Sequence, residues 1–293
     1  MRTLAILSVA ALAGTATAMP IVDGSITGGE YGPALWVQDT GTGFGNNTDP
    51  SVELAGGDEI NAAYASLDGS VLTLGLTGNF ATNFNKTNIA IDFIAGGQQT
   101  FSGLMGGLSN INGLTLDAGF EADALLSYTA GNPTPDSFVD AWLADGSVNG
   151  FIGGGSGART SLAYGASPVD FSVDNSNIGG VGNLGDPFDS APDSVTTGLE
   201  VAIDLAALGY TGGEIKIGAW INGGNNDFLS NQVVGGLPTG NGNLGGDGAG
   251  NFTGNVGGVD FSAIAGDQFI VIPTPGAASL LALGGLAAIR RRR

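Results

Sequence analysis

Few kinds of residue in this sequence could carry out chemistry. The 293 residues include no cysteine and no histidine, so Ser-His-Asp and Cys-His catalysis, His- or Cys-ligated zinc, haem and iron–sulfur clusters all lack their residues. Carboxylates, hydroxyls, five tyrosines and eight cations remain. These groups suit hydrogen bonding to sugars, coordination of calcium by oxygen, or hydrolysis by paired carboxylates.

Calcium is the cofactor with the most obvious candidate ligands. Neither of two polar loop segments has the spacing of an EF-hand or the repeat of an RTX protein. Asx turns explain both segments without a metal. Calcium is therefore a hypothesis, centred on the first of these two groups. The groups are Asp170, Asp174, Asn175 and Asn177, and then Asp186, Asp189 and Asp193.

Extracellular polysaccharide is a candidate ligand because aromatic rings stack on sugar rings. Trp220 lies on the strand face opposite Ile215 and Ile217, so it points outward or into a concave face if those isoleucines are in the core. Trp36 and Trp142 are alternative contacts. Each tryptophan could equally cover the edge of the core, where large aromatic residues are common.

Hydrolysis of glycosidic bonds requires only two carboxylates, about 5–10 Å apart. The sequence contains 27 Asp and Glu residues, and no motif singles out a pair. We therefore expect a protein that is not an enzyme and has a structural or adhesive role. A glycan-binding module is the alternative, and a carboxylate-based glycoside hydrolase is the second alternative.

The charge distribution excludes nucleic acid as a partner. Lys86, Arg159 and Lys216 are the only cations between residues 19 and 272, whereas all 27 acidic residues lie there, so this body carries a net charge of −24. Nucleic-acid binding depends on Lys and Arg neutralising phosphates. A surface this acidic is instead typical of a protein that stays soluble at high ionic strength.

Short β-strands are the elements that must position these residues. Apolar and polar residues alternate with period two in five segments, and the 54 glycines mark frequent turns between them. This pattern predicts an all-β fold, a single antiparallel β-sandwich of jelly-roll type over residues 19–270. The five segments are residues 72–76, 89–93, 169–173, 201–205 and 215–221.

Other segments are expected to interrupt this sandwich. Residues 121–128 have the one helical spacing within the body, although the segment is short. Residues 176–197 and 222–258 are predicted to be long polar loops, and the second has low complexity.

The first 18 residues predict export. Arg2 precedes an apolar stretch of about ten residues, which is roughly half the length that spans a bilayer. Ala16 and Ala18 then form an A-x-A cleavage signal. Residues 1–18 are therefore predicted to be a signal peptide, with the Sec translocon and signal peptidase as partners.

The last residues, 271–293, have a three-part layout. Pro273, Thr274, Pro275 and Gly276 come first, an apolar run over 277–289 follows, and Arg290, Arg291, Arg292 and Arg293 close the sequence. The basic cluster after an apolar segment predicts a C-terminal membrane helix with its arginines in the cytoplasm.

This tail resembles the PEP-CTERM sorting signal, the substrate of exosortases in biofilm-forming Gram-negative bacteria and planctomycetes. Thr274 replaces the glutamate that usually stands between the prolines, while the layout is intact. The resemblance implies an exosortase-type partner, transient anchoring in the inner membrane and removal of the chain beyond the prolines. The final location would be the cell surface or the extracellular matrix. A retained anchor is the alternative.

The body is similar to a recurrent group of exported PEP-CTERM proteins that has no assigned activity. The similar segments are residues 22–24, 174–177, 219–224, 228–233 and 266–269. More distantly, residues 22–24, 62–76 and 200–208 resemble the family 9 carbohydrate-binding and DOMON-like sandwiches. The second resemblance implies a β-sandwich and does not by itself assign a ligand.

Overall fold

The computed structural model describes residues 19–45, 57–80, 82–131, 136–156 and 159–272. The predicted signal peptide, the Pro273–Pro275 neighbourhood and the predicted C-terminal helix all lie outside these ranges. Among the helices in the described ranges, none combines the length and the apolar character that crossing a bilayer requires.

The first sheet has six antiparallel strands. It is built from strands in both halves of the chain, with β10 (Gly198–Asp204) pairing β3 (Val71–Asn79) on one side and β9 (Ser167–Val173) on the other. In spatial order the strands are β1 (Trp36–Val37), β2 (Glu59–Asp68), β3 (Val71–Asn79), β10 (Gly198–Asp204), β9 (Ser167–Val173) and β8 (Arg159–Tyr164).

The second sheet has seven antiparallel strands, and β11 (Ile215–Asn222), next to one edge, pairs with three others. The predicted end of the domain at residue 270 is the first residue of β13 (Ile270–Ile272), the last strand of the described residues. In spatial order the strands are β12 (Leu229–Val233), β11 (Ile215–Asn222), β4 (Asn83–Asp92), β5 (Ala124–Gly131), β6 (Asp136–Leu143) and β7 (Asn149–Ser156), with β13 (Ile270–Ile272) beside β11.

Helices are short in the described residues. One helical turn, α1, spans Gly28–Tyr31, and four 3₁₀ helices span Gly106–Ile111, Pro192–Ser194, Leu205–Leu208 and Phe261–Ala263. The helical spacing over residues 121–128 was misleading, because β5 begins at Ala124 and pairs with β4 and β6.

Period-two alternation explains the main core. All five segments that alternate in the sequence coincide with strands, namely β3, β4, β9, β10 and β11, although Phe93 and Leu205 lie one residue beyond the ends of theirs. Their apolar positions, such as Leu74, Ile91, Val201 and Ile217, form one buried cluster with residues from both sheets. The prediction of an all-β, sandwich-like fold is thus confirmed for the described residues.

A second hydrophobic cluster covers the outer face of the seven-stranded sheet. Ala90, Leu125, Trp142 and Trp220 point away from the main core and are buried. Two long segments, residues 98–122 and 229–264, pack over them and add further apolar side chains. This sheet is therefore buried on both faces over much of its area, whereas the alternation pattern predicted a polar outer face.

The segment over residues 222–258 differs from the prediction of a strandless polar loop. It contains β12, and Leu237, Leu244 and Val256 are buried in the second cluster. Gly113 allows this segment to lie close to the other covering segment, residues 98–122. A Cβ on Gly113 would lie 2.7 Å from the Gly257 carbonyl oxygen. Backbone hydrogen bonds then join the two covering segments, as in Val256 N–H to Asn110 O at 2.9 Å.

Candidate functional site

The four predicted calcium ligands do not converge. Asp170 forms an ion pair with Arg159, and Asp174 accepts a hydrogen bond from the Ser176 amide. Asn175 is buried and exchanges hydrogen bonds with the backbone of Phe80, at 2.8 and 2.7 Å.

Asn177 turns instead toward β2 and donates to Glu59. Within the described ranges, no group of three or more Asp or Glu side chains is placed to hold a metal ion, and this covers the second predicted group as well. Side chains that are neighbours in the sequence here face different elements.

Trp220 is not available to stack on a sugar. It does lie on the face opposite the core isoleucines, as its position predicts, but the covering segments leave only 1% of it exposed. Its ring packs edge-on against Phe261, with centroids 5.8 Å apart. Trp142 is similarly buried against Phe101, and Trp36 packs on the main core. The predicted glycan contact at Trp220 is thus corrected to a structural role.

A polar cleft of about 480 Å³ opens at the edge of the second cluster, on the outer face of the seven-stranded sheet. The Gly106–Ile111 helix forms one wall, and the loop after β11 forms another. We call it the Lys86 cleft. It is lined by Lys86, Gly106, Gly107, Ser109, Asn110, Gly224, Asn225, Asp227, Phe252 and Gly254.

Lys86, which lines the cleft, forms a nearly buried ion pair with Asp140 beneath it. Lys86 Nζ lies 3.1 Å from Asp140 Oδ2, and the two side chains are 9% and 12% exposed. A Cβ on Gly107 would lie 2.3 Å from the same carboxylate oxygen, so glycine allows the helix to close over the pair. An ammonium group has three N–H donors, and Asp140 is the hydrogen-bond partner of Lys86 among the described residues. Donor capacity therefore remains for a ligand.

A row of polar side chains continues beneath the cleft. Asn88 on β4 is paired with Ser127 on β5, which is paired with Asp140 on β6, and Asn222 on β11 is paired with Lys86. Asn88 Oδ1, Ser127 Oγ and Asn222 Oδ1 are buried without a hydrogen-bond partner among the described residues. Folded proteins contain few such atoms, so three in two neighbouring cross-strand rows mark an unusual place in the sheet.

Asn226 joins the walls of the cleft to its base. It has a left-handed backbone, with φ at 54°, and is fully buried. Its Oδ1 accepts from the amides of Asn88 and Asn222 at 2.9 and 3.0 Å, and its Nδ2 donates to Gly107 O at 2.9 Å. These bonds fix the loop after β11 against both the sheet and the 3₁₀ helix.

Four exposed phenylalanines lie on β4, β6 and β7 and in the cleft lining, and we call them the aromatic rim. Phe151 is 64% exposed and lies across from Asp140 in the β6–β7 ladder, and Phe138 lies on the same face of β6. Phe252 is 68% exposed and lines the cleft. Phe84, whose φ is 69°, rests its ring against Gly131. Polar groups flanked by exposed rings form a surface that suits sugars, whose faces are apolar and whose edges carry hydroxyls.

Among the described glutamates, the two most strongly buried lie away from this cleft, in the six-stranded sheet. Burial raises the pKa of Glu59 to about 8 and also raises the pKa of Glu200. Glu200 accepts hydrogen bonds from the Tyr31 hydroxyl and the Gly24 amide, under the N-terminal segment. Both residues are fully buried, so neither can contact a polysaccharide in this structure.

All three cations of residues 19–272 form ion pairs. Lys86 pairs with Asp140 and Arg159 with Asp170, while Lys216 lies 3.3 Å from Glu214. The body therefore has no cation that is uncommitted to a carboxylate.

Comparison with known proteins found no matching family model, no matching curated protein and no matching solved structure. Sequence reasoning also missed every residue of the Lys86 cleft. The available signal was the polar stretch 85–88, which precedes the apolar run 89–91 within the same strand.

Proposed function

We propose that this chain is an exported adhesive protein of the cell surface or extracellular matrix, and that it binds polysaccharide through the Lys86 cleft. The observation that carries the proposal is the combination of a polar cleft, a nearly buried ion pair and a rim of exposed aromatic rings on one face. Hydroxyl groups would hydrogen-bond to the polar side chains, while the rings would stack on the faces of the sugars.

Delivery rests on the sequence patterns at the two ends. In this proposal a signal peptide directs a jelly-roll-like sandwich across the inner membrane, and a C-terminal helix holds it there until an exosortase-type enzyme acts. Intact-mass measurement of protein from the native host tests the step. The expected mature chain ends near Pro273–Pro275, and a chain ending in Arg293 would indicate a retained anchor.

The proposed role is not enzymatic. The two fully buried glutamates cannot reach a substrate, and the cleft itself is lined by one acidic side chain, Asp227. Asp140 lies beneath it in an ion pair with Lys86. Release of reducing sugar from any polysaccharide that the protein binds would overturn this part of the proposal.

The aromatic rim provides the test of binding. Replacing Phe151 or Phe252 by alanine should weaken retention on polysaccharide about tenfold each, because each removes the burial of one ring against a sugar. Both rings are more than half exposed, so stability should change little. Affinity electrophoresis of the secreted protein in gels containing polysaccharide measures the effect.

Phe188 supplies the matched control, since it is also exposed and lies outside the rim and the cleft. Phe188→Ala should leave retention unchanged. Equal losses for Phe188→Ala and Phe252→Ala would contradict a specific site.

A further inference from the structure

The charges on the exported body restrict the class of polysaccharide. Residues 19–272 carry 27 acidic side chains and three cations, and each cation is already paired with a carboxylate. A polyuronate or sulfated chain would approach a surface of its own sign, which costs free energy at every contact.

The charges in and beneath the Lys86 cleft also disfavour an anionic polysaccharide. Its one cation, Lys86, is matched by Asp140, and Asp227 adds a negative charge to the lining. An anionic group could bind Lys86 only by competing with Asp140. Because the Asp140 side chain is 12% exposed, the displaced carboxylate would be left largely buried and unpaired.

A sugar hydroxyl avoids this conflict, because it can donate and accept at once. It can accept a hydrogen bond from Lys86 Nζ and donate one to Asp140 while the ion pair stays intact. Hydrogen bonds to charged partners are the stronger kind, so the pair is well suited to neutral hydroxyl groups.

We infer that the Lys86 cleft selects neutral polysaccharides over anionic ones, with hydroxyl groups bridging Lys86 and Asp140. The inference rests on the proposed function and adds the class of ligand to it. The same chemistry predicts that the selectivity depends on Asp140, since removing its charge would free Lys86 as a binding site for anions.

The experiment compares retention of the secreted protein on a neutral β-glucan, a polyuronate and a sulfated galactan. Each is tested at low salt, in molar NaCl, and with calcium or a chelator. We expect retention on the neutral glucan that salt and chelator leave unchanged. Retention on an anionic polymer alone, lost in salt or in chelator, would overturn the inference while leaving the proposed function standing. Failure to bind any polymer would overturn both.

Asp140→Asn gives the more decisive test, because it should strengthen the binding of anionic polysaccharide, which is weak in the native protein if the inference holds. Affinity for the polyuronate at low salt should rise about tenfold, the value of one charge-assisted hydrogen bond, while retention on the neutral glucan falls. Asp170→Asn is the matched control, since it makes the same charge change and frees Arg159 on the other sheet.

An equal rise in polyuronate affinity in both variants would mean that the net charge of the protein, rather than the Lys86 cleft, determines this binding. That result would overturn the inference. Thermal melts of each variant show whether the fold is kept. If Asp140→Asn unfolds, Asp227→Asn changes the charge of the cleft lining without touching the ion pair and should raise polyuronate binding in the same direction. No rise there would then count against the inference.

Discussion

Replacing Trp220 by alanine is expected to lower the free energy of unfolding by about 3–5 kcal/mol. The ring is 1% exposed and packs against Phe261 within the second cluster, so its removal leaves a large cavity. The midpoint of urea unfolding measures the loss.

Trp220→Phe is the matched variant for this prediction. It keeps part of the ring and removes an indole N–H that has no hydrogen-bond partner among the described residues. It should therefore cost much less than alanine, because an unpaired buried donor is itself unfavourable. Loss of polysaccharide retention in Trp220→Ala with unchanged stability would restore the stacking role that the sequence suggested.

Replacing Glu59 by glutamine is expected to reduce the dependence of stability on pH between about pH 4 and pH 8, and to remove most of it above about pH 6. Glu59 is fully buried on β2, and its Oε1 accepts from Asn61 and Asn177, both at 2.9 Å. Its Oε2 is unpartnered among the described residues. Burial is the main cause that raises its pKa from 4.5 to about 8.

The direction of this effect follows from proton binding. Between the unfolded and folded pKa values of Glu59, the folded state holds a proton that the unfolded state has lost. Stability therefore falls as pH rises through this window, by an amount on the order of 4 kcal/mol, and then levels off above the folded pKa. Glutamine keeps the carbonyl acceptor and does not titrate, so its pH profile should be much flatter.

Urea unfolding of both proteins across this pH range tests the prediction. A smaller slope should remain in Glu59→Gln at the acidic end, because burial also raises the pKa of Asp123 to about 6. Glu30→Gln, at a glutamate that is only partly buried, should retain the profile of the native protein. Parallel profiles for the native protein and Glu59→Gln would show that Glu59 is not the titrating group.

The two-sheet core was predictable because each strand that forms it can be recognised from its own short stretch of sequence. Each of the five alternating segments carries its own period-two pattern, and hydrophobic burial needs nothing else to place Leu74 or Ile217 inside. The outer layer has no such pattern. Leu237, Leu244 and Val256 are separated by glycine and asparagine, so only the folded chain shows that they share a cluster.

The candidate site was not predictable for a related reason. Asn226 lies 138 residues from Asn88 and 119 from Gly107, yet its side chain joins them. Asp170 and Asn177 illustrate the converse, since they are close in sequence and bond to different elements. Clustering of polar residues along the chain suggested a metal site, whereas pairing across strands produced the polar row.

Hydrogen–deuterium exchange with and without a neutral β-glucan fragment tests the central claim most directly. If polysaccharide binds in the Lys86 cleft, the amides of the Gly106–Ile111 helix and of residues 223–227 should exchange more slowly in the complex, because they form its walls. Amides of the six-stranded sheet should be unaffected. Protection confined to that sheet or to the N-terminal segment would place the ligand elsewhere, and the assignment of the Lys86 cleft would be wrong.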